Sequence, residues 1–255
     1  MKLPDFIIIG AAKCGTSALF MNLDKHPDIF MGQKTKTSIE FHFWGYPKNY
    51  KKGLNWYKKA FKKDKVCGEK SIEYWVNHKS MKLIKRYIPN VRLILCVRNP
   101  VDRAFSNYQL HHRKGRVGAF TYKLFKQQSV YYKRGLYYKG LVTRVLKYFD
   151  KDQIYICVTE HMKQNTTEEI RKIYKFLGVK DFVLPTKKIS GNVKERASSF
   201  GEDFIKSREE KFYRVWDKGT MKVEPALRNQ LLQYYRQSNE ELFDFLGYRI
   251  KEWMR

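Results

Sequence analysis

Apolar positions along this chain follow two periods. Near-continuous apolar runs of four to seven residues mark buried strands at Phe6–Ile9, at Val91–Val97 (V-R-L-I-L-C-V) and at Gln153–Val158 (Q-I-Y-I-C-V), with a shorter candidate at Lys65–Gly68. Helical stretches lie between them. Ser17–Lys25 stops ahead of Pro27, and Asn77–Tyr87 is followed by Pro89. Pro100 sits where a first-turn proline belongs and opens a helix to about His112. Leu136–Phe149 reads as one amphipathic stretch. Thr166 with Glu169 fits a capping box for a helix ending at Gly178, and Pro225–Leu246 reads as a long terminal helix. Strands alternating with helices predict an α/β fold: a central parallel β-sheet flanked by helices on both faces. No repeat or low-complexity linker divides the chain, so residues 1–255 are expected to form a single domain. Lys187–Lys222 lacks periodicity and reads as a long functional loop or lid.

Ligands of such sheets bind beyond the carboxyl ends of the strands. The loops after Ile9, Gly68 and Val97 are therefore where chemistry is expected. Charge narrows the ligand. The chain carries 52 Lys+Arg against 25 Asp+Glu, a formal net charge of +27 over 255 residues. With 43% hydrophobic residues it can bury a large core, which excludes disorder for most of its length. A domain this basic is expected to meet an acidic partner, although solubility accounts for some of the excess. Cys14, Cys67, Cys96 and Cys157 form no C-x-x-C pair, so neither a zinc knuckle nor an oxidising compartment is implied. The apolar start Phe6–Ala12 is too short to span a membrane and lacks the flanks of a signal peptide, so a soluble, cytoplasmic chain with no membrane partner is expected.

The loop after the first strand reads Gly10-Ala11-Ala12-Lys13-Cys14-Gly15-Thr16-Ser17. A strand before it and a helix after it suit a phosphate cradle of backbone N–H groups at a helix N-terminus. Gly10, Gly15 and Ser17 match the P-loop spacing, but Thr16 stands at the invariant lysine and the cation has moved to Lys13. That arrangement suits an anion held without a metal; a tight turn with a solvated lysine fits it too. After the strongest strand, Arg98 emerges at the carboxyl end and Ser106 lies two turns into the next helix. A guanidinium fork and a hydroxyl can grip a second phosphate, or Arg98 can close the sheet edge by an ion pair. Asp102 and Arg103 can form a helix-start pair.

Together, F-I-I-I-G-A-A-K-C-G-T-S-A-L and L-I-L-C-V-R-N-P-V-D-R-A-F-S-N-Y resemble the paired signature of sulfotransferases that use 3′-phosphoadenosine 5′-phosphosulfate (PAPS). The chain is more closely similar to the heparan sulfate glucosamine sulfotransferases and related bacterial enzymes. Their segments recur in order at His26-Pro27-Asp28-Ile29, Glu40-Phe41-His42-Phe43-Trp44, Gly53-Leu54-Asn55-Trp56-Tyr57, Glu69-Lys70-Ser71, Gly135-Leu136-Tyr137 and Tyr234-Tyr235-Arg236 with Asn239. The resemblance implies a P-loop-like sulfotransferase fold, PAPS as donor, 3′-phosphoadenosine 5′-phosphate (PAP) as product and no metal. It implies that Lys13, Cys14, Gly15, Thr16 and Ser17 hold the 5′-phosphosulfate, and that Arg98 and Ser106 hold the 3′-phosphate. Tyr137 and a late loop matched by Lys218, Gly219 and Thr220 join them, with Thr220 replacing the family's arginine. Lys13 and Lys70 are implied to stabilise the transferring group, Glu40 to act as base, and His42 to orient the acceptor.

Other readings stay open at this stage. If the segment is extended, Glu40 and His42 point the same way; Glu40 can instead pair with Lys34 or Lys36, and His111 or His112 can serve as base. Gly45 stands where the glycan enzymes usually carry an acid. Arg113–Arg144 holds nine Lys/Arg, five tyrosines and no acid, and Lys48–Lys65 holds eight lysines against one aspartate. These tracts are expected to line a cleft for an anionic glycan; a small hydroxyl compound is the next acceptor class. Basic tracts with interleaved aromatics also describe a nucleic-acid binder on a P-loop-like fold, which leaves the Lys13 and Arg98 loops unexplained. A small-molecule kinase is disfavoured by Thr16 and by the lack of a Mg²⁺-binding Asp motif.

Overall fold

The computed structural model describes residues 1–33, 38–183 and 222–254. Five strands form one parallel sheet: β1 (Phe6–Gly10), β2 (Ile29–Met31), β3 (Val66–Lys70), β4 (Arg92–Val97) and β5 (Ile154–Val158). Their order is β2-β3-β1-β4-β5. All five residues of β1 and five of the six in β4 are buried, because helices cover both faces. β1 pairs with β3 on one side and β4 on the other, so the chain reverses its direction of progress at β1. A crevice opens at such a switch point, and the loops after β1, β3 and β4 meet there.

The helices are α1 (Thr16–Leu23), α2 (Pro47–Tyr50), α3 (Gly53–Lys58), α4 (His78–Tyr87), α5 (Pro100–His112), α6 (Tyr122–Gln127), α7 (Ser129–Tyr132), α8 (Tyr137–Gly140), α9 (Thr159–Gln164), α10 (Thr166–Leu177) and α11 (Pro225–Leu246). One core surrounds the sheet. A second, made of Val101, Ala104, Tyr108, Phe125, Tyr131, Leu231 and Tyr235, fastens α5 to α7 and α11. That second core carries the helix on which Ser106 rides.

Four sequence readings change. The strand expected at Lys65–Gly68 runs on to Lys70. Leu136–Phe149 is not one α-helix: after a 3₁₀ turn at Lys133–Gly135 come α8, a π turn at Leu141–Val145 and a further turn. Gly140 lies against Trp75, where a Cβ would come within 2.3 Å of the ring, so the chain is packed to the indole rather than wound to one helical period. The cap of α10 is Asn165, not Thr166, whose hydroxyl donates back to the Met162 carbonyl. Arg103 does not pair with Asp102. Asp102 binds Arg228 of α11 at 2.7 Å, while Arg103 is fully buried and donates to the Val130 and Tyr131 carbonyls. The readings at Lys34, Lys36, most of Lys187–Lys222, and Lys218, Gly219 and Thr220 lie outside the described residues. No described helix is long and apolar enough to cross a membrane.

Asn99 caps α5. Its side chain accepts from the Val101 and Asp102 amides, and its own N–H donates to Glu160 at 3.0 Å. Asn99→Ala removes that cap at a cost of about 1 kcal/mol. The melting temperature is expected to fall by ~2–4 °C, read by circular dichroism.

Candidate active site

The β1–α1 loop turns through two left-handed residues, Lys13 (φ 71) and Gly15 (φ 75). A lysine is rarely found there, and such conformations concentrate where a side chain must be aimed. Lys13 is half-buried, and its ammonium is held below the ordinary lysine range by burial and by the positive charges of Arg113, Arg98 and Lys114. Cations crowded this way lose their mutual repulsion when an anion sits among them. Arg98 fits the same ligand: its Nε is buried with no hydrogen-bond partner among the described residues. An orphaned guanidinium N–H wants an acceptor oxygen. Arg98 closes no sheet edge, since β4 is flanked by β1 and β5.

Two residues tie the anion loops to each other. Tyr137, buried, donates to the Arg98 carbonyl at 2.9 Å and lies 3.4 Å from the Cys14 sulfur. The Thr159 hydroxyl lies between the carbonyls of Cys14 and Val97, at 2.9 and 2.8 Å. Burial pushes the Cys14 thiol up to about 12, against the Tyr137 hydrogen bond and the Arg103 charge, so it is a neutral packing group. Ser106 stands half-buried on α5, the helix that Arg98 leads into through Asn99, while Thr16 and Ser17 open α1.

The second half of the site is a hydrogen-bonded chain. Lys70, at the end of β3 and only 2% exposed in its side chain, donates to Glu40 Oε1 at 2.6 Å and to Ser17 Oγ at 3.3 Å. His42 Nε2 lies 2.9 Å from Glu40 Oε2. Burial pushes the Glu40 carboxyl up. The His42 hydrogen bond and the charge and hydrogen bond of Lys70 outweigh it and hold the group at about 2. Glu40 and His42 therefore meet, though not by strand alternation. His42 has φ 44, and its N–H is fixed by Ser71 Oγ at 3.0 Å.

Gly45 has a steric reason. Its φ is +77, and a Cβ there would come within 2.8 Å of Ser80 Oγ, so no acidic side chain fits. His111 and His112 belong to the other side of the crevice. His111 binds the Tyr131 hydroxyl at 2.8 Å, and burial and the charges of Arg116, Lys114 and Lys13 keep it below the ordinary histidine range. Residues that sequence reasoning missed are Thr159 and Glu160, at the end of β5, and Trp75, Tyr57 and Tyr74 behind the Glu40 chain. The carboxyl-end rule points to the first two once β5 is placed.

A parallel sheet whose central crevice gathers a cationic loop pair and a lysine-bound carboxylate has the P-loop-like architecture, with a place for an anion beside a proton acceptor. Residues 3–238 match the sulfotransferase domain family, and the chain belongs to that family. It is 31% identical over 192 residues to the human heparan sulfate glucosamine 3-O-sulfotransferase 5, covering 70% of this chain and 54% of that protein. It is 28% identical over 201 residues to the human bifunctional heparan sulfate N-deacetylase/N-sulfotransferase 2, covering 71% of this chain and 23% of that one. The chain thus spans about half or less of the length of these curated relatives. A sulfotransferase from Alicyclobacillus acidocaldarius superposes over the whole of both chains with a TM-score of 0.73 at 23% identity. A mouse sulfotransferase complexed with PAP covers 94% of this chain and 86% of its own, with a TM-score of 0.54 at 15% identity.

Proposed function

We propose that this chain is a single catalytic domain that moves a sulfuryl group from PAPS to a hydroxyl, or an amine, of a carbohydrate acceptor. The observation that carries the reading is the position of Lys70. It joins Glu40, which can take a proton, to Ser17 at the opening of the anion-binding helix. The donor and the acceptor's proton are thereby served by one connected set of groups.

The residues divide the work. The Lys13–Ser17 loop receives the 5′-phosphosulfate, and Arg98, with its unsatisfied Nε, and Ser106 receive the 3′-phosphate. Tyr137 keeps the two loops in register. Glu40 accepts the proton of the acceptor as its oxygen attacks sulfur and the bond from sulfur to the phosphate oxygen breaks. Lys13 and Lys70 stabilise the charge gathering on that phosphate oxygen. His42 turns the acceptor toward Glu40. No metal enters the scheme.

The chain's likeness to a heparan sulfate glucosamine 3-O-sulfotransferase and to a heparan sulfate N-deacetylase/N-sulfotransferase supports a glucosamine-containing glycan. So does the basic stretch Arg113–Arg116, which begins beside Lys13 and is exposed. The other basic tract divides: Lys62 and Lys65 lie on the side of β3 where the strand begins, with Lys65 bound to the Pro27 carbonyl, away from the crevice.

Thermal unfolding with PAP against ATP plus Mg²⁺ tests the donor. At about 100-fold above Kd a ligand adds roughly 2.7 kcal/mol, several degrees for a chain of this size. A rise with PAP and none with ATP–Mg²⁺ is the expected result. A rise with ATP–Mg²⁺ alone overturns the reading.

A further inference from the structure

One carboxyl beside the proposed base has no part in the chemistry above. Glu69 precedes Lys70 on β3, so the two side chains leave opposite faces of the strand. Lys70 enters the crevice, and Glu69 enters the aromatic layer behind it, fully buried. Among the described residues, no hydrogen bond of good distance and angle reaches either of its oxygens. The groups that face it are the hydroxyls of Tyr57 on α3 and Tyr74 in the 3₁₀ turn Tyr74–Val76, with the charge of Glu40 beyond.

These two tyrosines hold the chain that carries the base. Tyr74 Oη accepts from the Phe43 amide at 2.7 Å and from the Trp44 amide at 3.2 Å. Tyr57 Oη accepts from Trp44 Nε1 at 3.1 Å. Each hydroxyl keeps one proton to give, and the Glu69 carboxyl is the acidic group both of them face. A buried network of this kind fixes geometry only when all its members are satisfied. His42, immediately before the clamped amides, sits in a left-handed conformation that its surroundings must impose.

We infer that Glu69 is a positioning residue: its carboxyl orients the Tyr57 and Tyr74 hydroxyls, which clamp residues 43–44 and thereby place His42 and Glu40. The role rests on the reading of Glu40 as base. Burial pushes the Glu69 carboxyl up to about 8; the Tyr57 and Tyr74 hydroxyls, facing it as donors, pull the other way, and the Glu40 charge adds to the rise. The folded value lies above that of an unfolded glutamate, about 4.3. Stability from this group is therefore complete below about 4.3 and is lost as pH climbs toward 8.

The test compares the unaltered chain with Glu69→Gln and Glu69→Leu by amide hydrogen exchange at Phe43 and Trp44, with the β1 amides as the reference for global opening. Turnover with PAPS and heparan sulfate is followed on the same proteins. Glu69→Leu is expected to speed exchange at Phe43 and Trp44 about tenfold or more relative to β1. It is expected to lower kcat by a similar factor and to leave KM for PAPS within about twofold. Glu69→Gln, which keeps a carbonyl oxygen for the two hydroxyls, is expected to keep most of the protection and of kcat. Unchanged protection at residues 43–44 in Glu69→Leu overturns the inference whatever the activities show; so does a Glu69→Gln variant that loses as much protection as Glu69→Leu. Failure of the base reading is distinct: it appears as full turnover by Glu40→Gln, with the exchange results standing.

Discussion

Glu40→Gln is expected to bind PAP as tightly as the unaltered chain does and to turn over roughly 10²–10⁴-fold more slowly, the usual contribution of a general base. The substitution keeps an amide oxygen for Lys70 and so spares the buried ammonium from isolation. That matters because Lys70 is almost wholly buried, and removing one partner of a buried pair costs about 3–5 kcal/mol. Glu40→Ala, which takes away the carboxylate and leaves Lys70 the Ser17 hydroxyl, should melt lower than Glu40→Gln for this reason. The pH profile carries a second expectation. In the free protein Lys70 and His42 hold the carboxyl at about 2, where it is a poor base. Once donor is bound, Lys70 has the transferring group to attend to, and Glu40 gains basicity as that grip slackens. The acid limb of kcat should thus lie at higher pH than the acid limb of kcat/KM, since the first reports the bound complex and the second the free protein. Identical limbs would mean that Lys70 never leaves Glu40. Near-full kcat in Glu40→Gln would remove Glu40 from the chemistry altogether.

What was legible in the sequence depended on how local the cause was. β1, β4 and β5 declare themselves because strands buried on both faces must be apolar throughout, and the loops at their carboxyl ends follow from that. β2 is only three residues, Ile29–Met31, too short to register as a period of its own. Leu136–Phe149 has the pattern of one helix, but the Gly140 contact with Trp75 depends on a side chain sixty-five positions earlier. Gly135 shows the same kind of cause: a Cβ there would meet Tyr235 and Pro100 within 2.8 Å, so the family's G-x-Y segment keeps its glycine for a distant contact. Motif resemblance, not periodicity, singled out Glu40, His42 and Lys70. The alternation argument brought Glu40 and His42 together, yet the backbone achieves it by a left-handed residue rather than by extension. Glu69 was visible only as a letter in a motif. Its burial follows from the parity of β3 once Lys70 is known to face the crevice.

Gly10→Ala is expected to cost more than any cap or surface ion pair in the molecule and to abolish PAP binding. A Cβ at Gly10 would lie 2.2 Å from Trp75 Cδ1 and 2.6 Å from Nε1, far inside contact distance. Flexible side chains can retreat from such an approach; this indole cannot. Trp75 is buried, and its opposite edge is pressed on Gly140, where another Cβ would come within 2.3 Å of Cζ3. The ring is thus held between two glycines, one at the end of β1 and one before the π turn. Overpacking of this kind costs about 1–3 kcal/mol when neighbours can shift, and more when they cannot. Any relief must come from the β1–α1 loop, which carries Lys13 and Gly15, so strain and lost anion binding should appear together. The double variant Gly10→Ala/Trp75→Phe separates the causes, because a smaller ring opens the space while the altered loop residue stays. If steric conflict is the cause, the double variant should melt higher than Gly10→Ala alone, and the coupling between the two sites should exceed ~0.5 kcal/mol. Additive losses would instead mean that Gly10 serves the loop's own backbone and not the space beside Trp75.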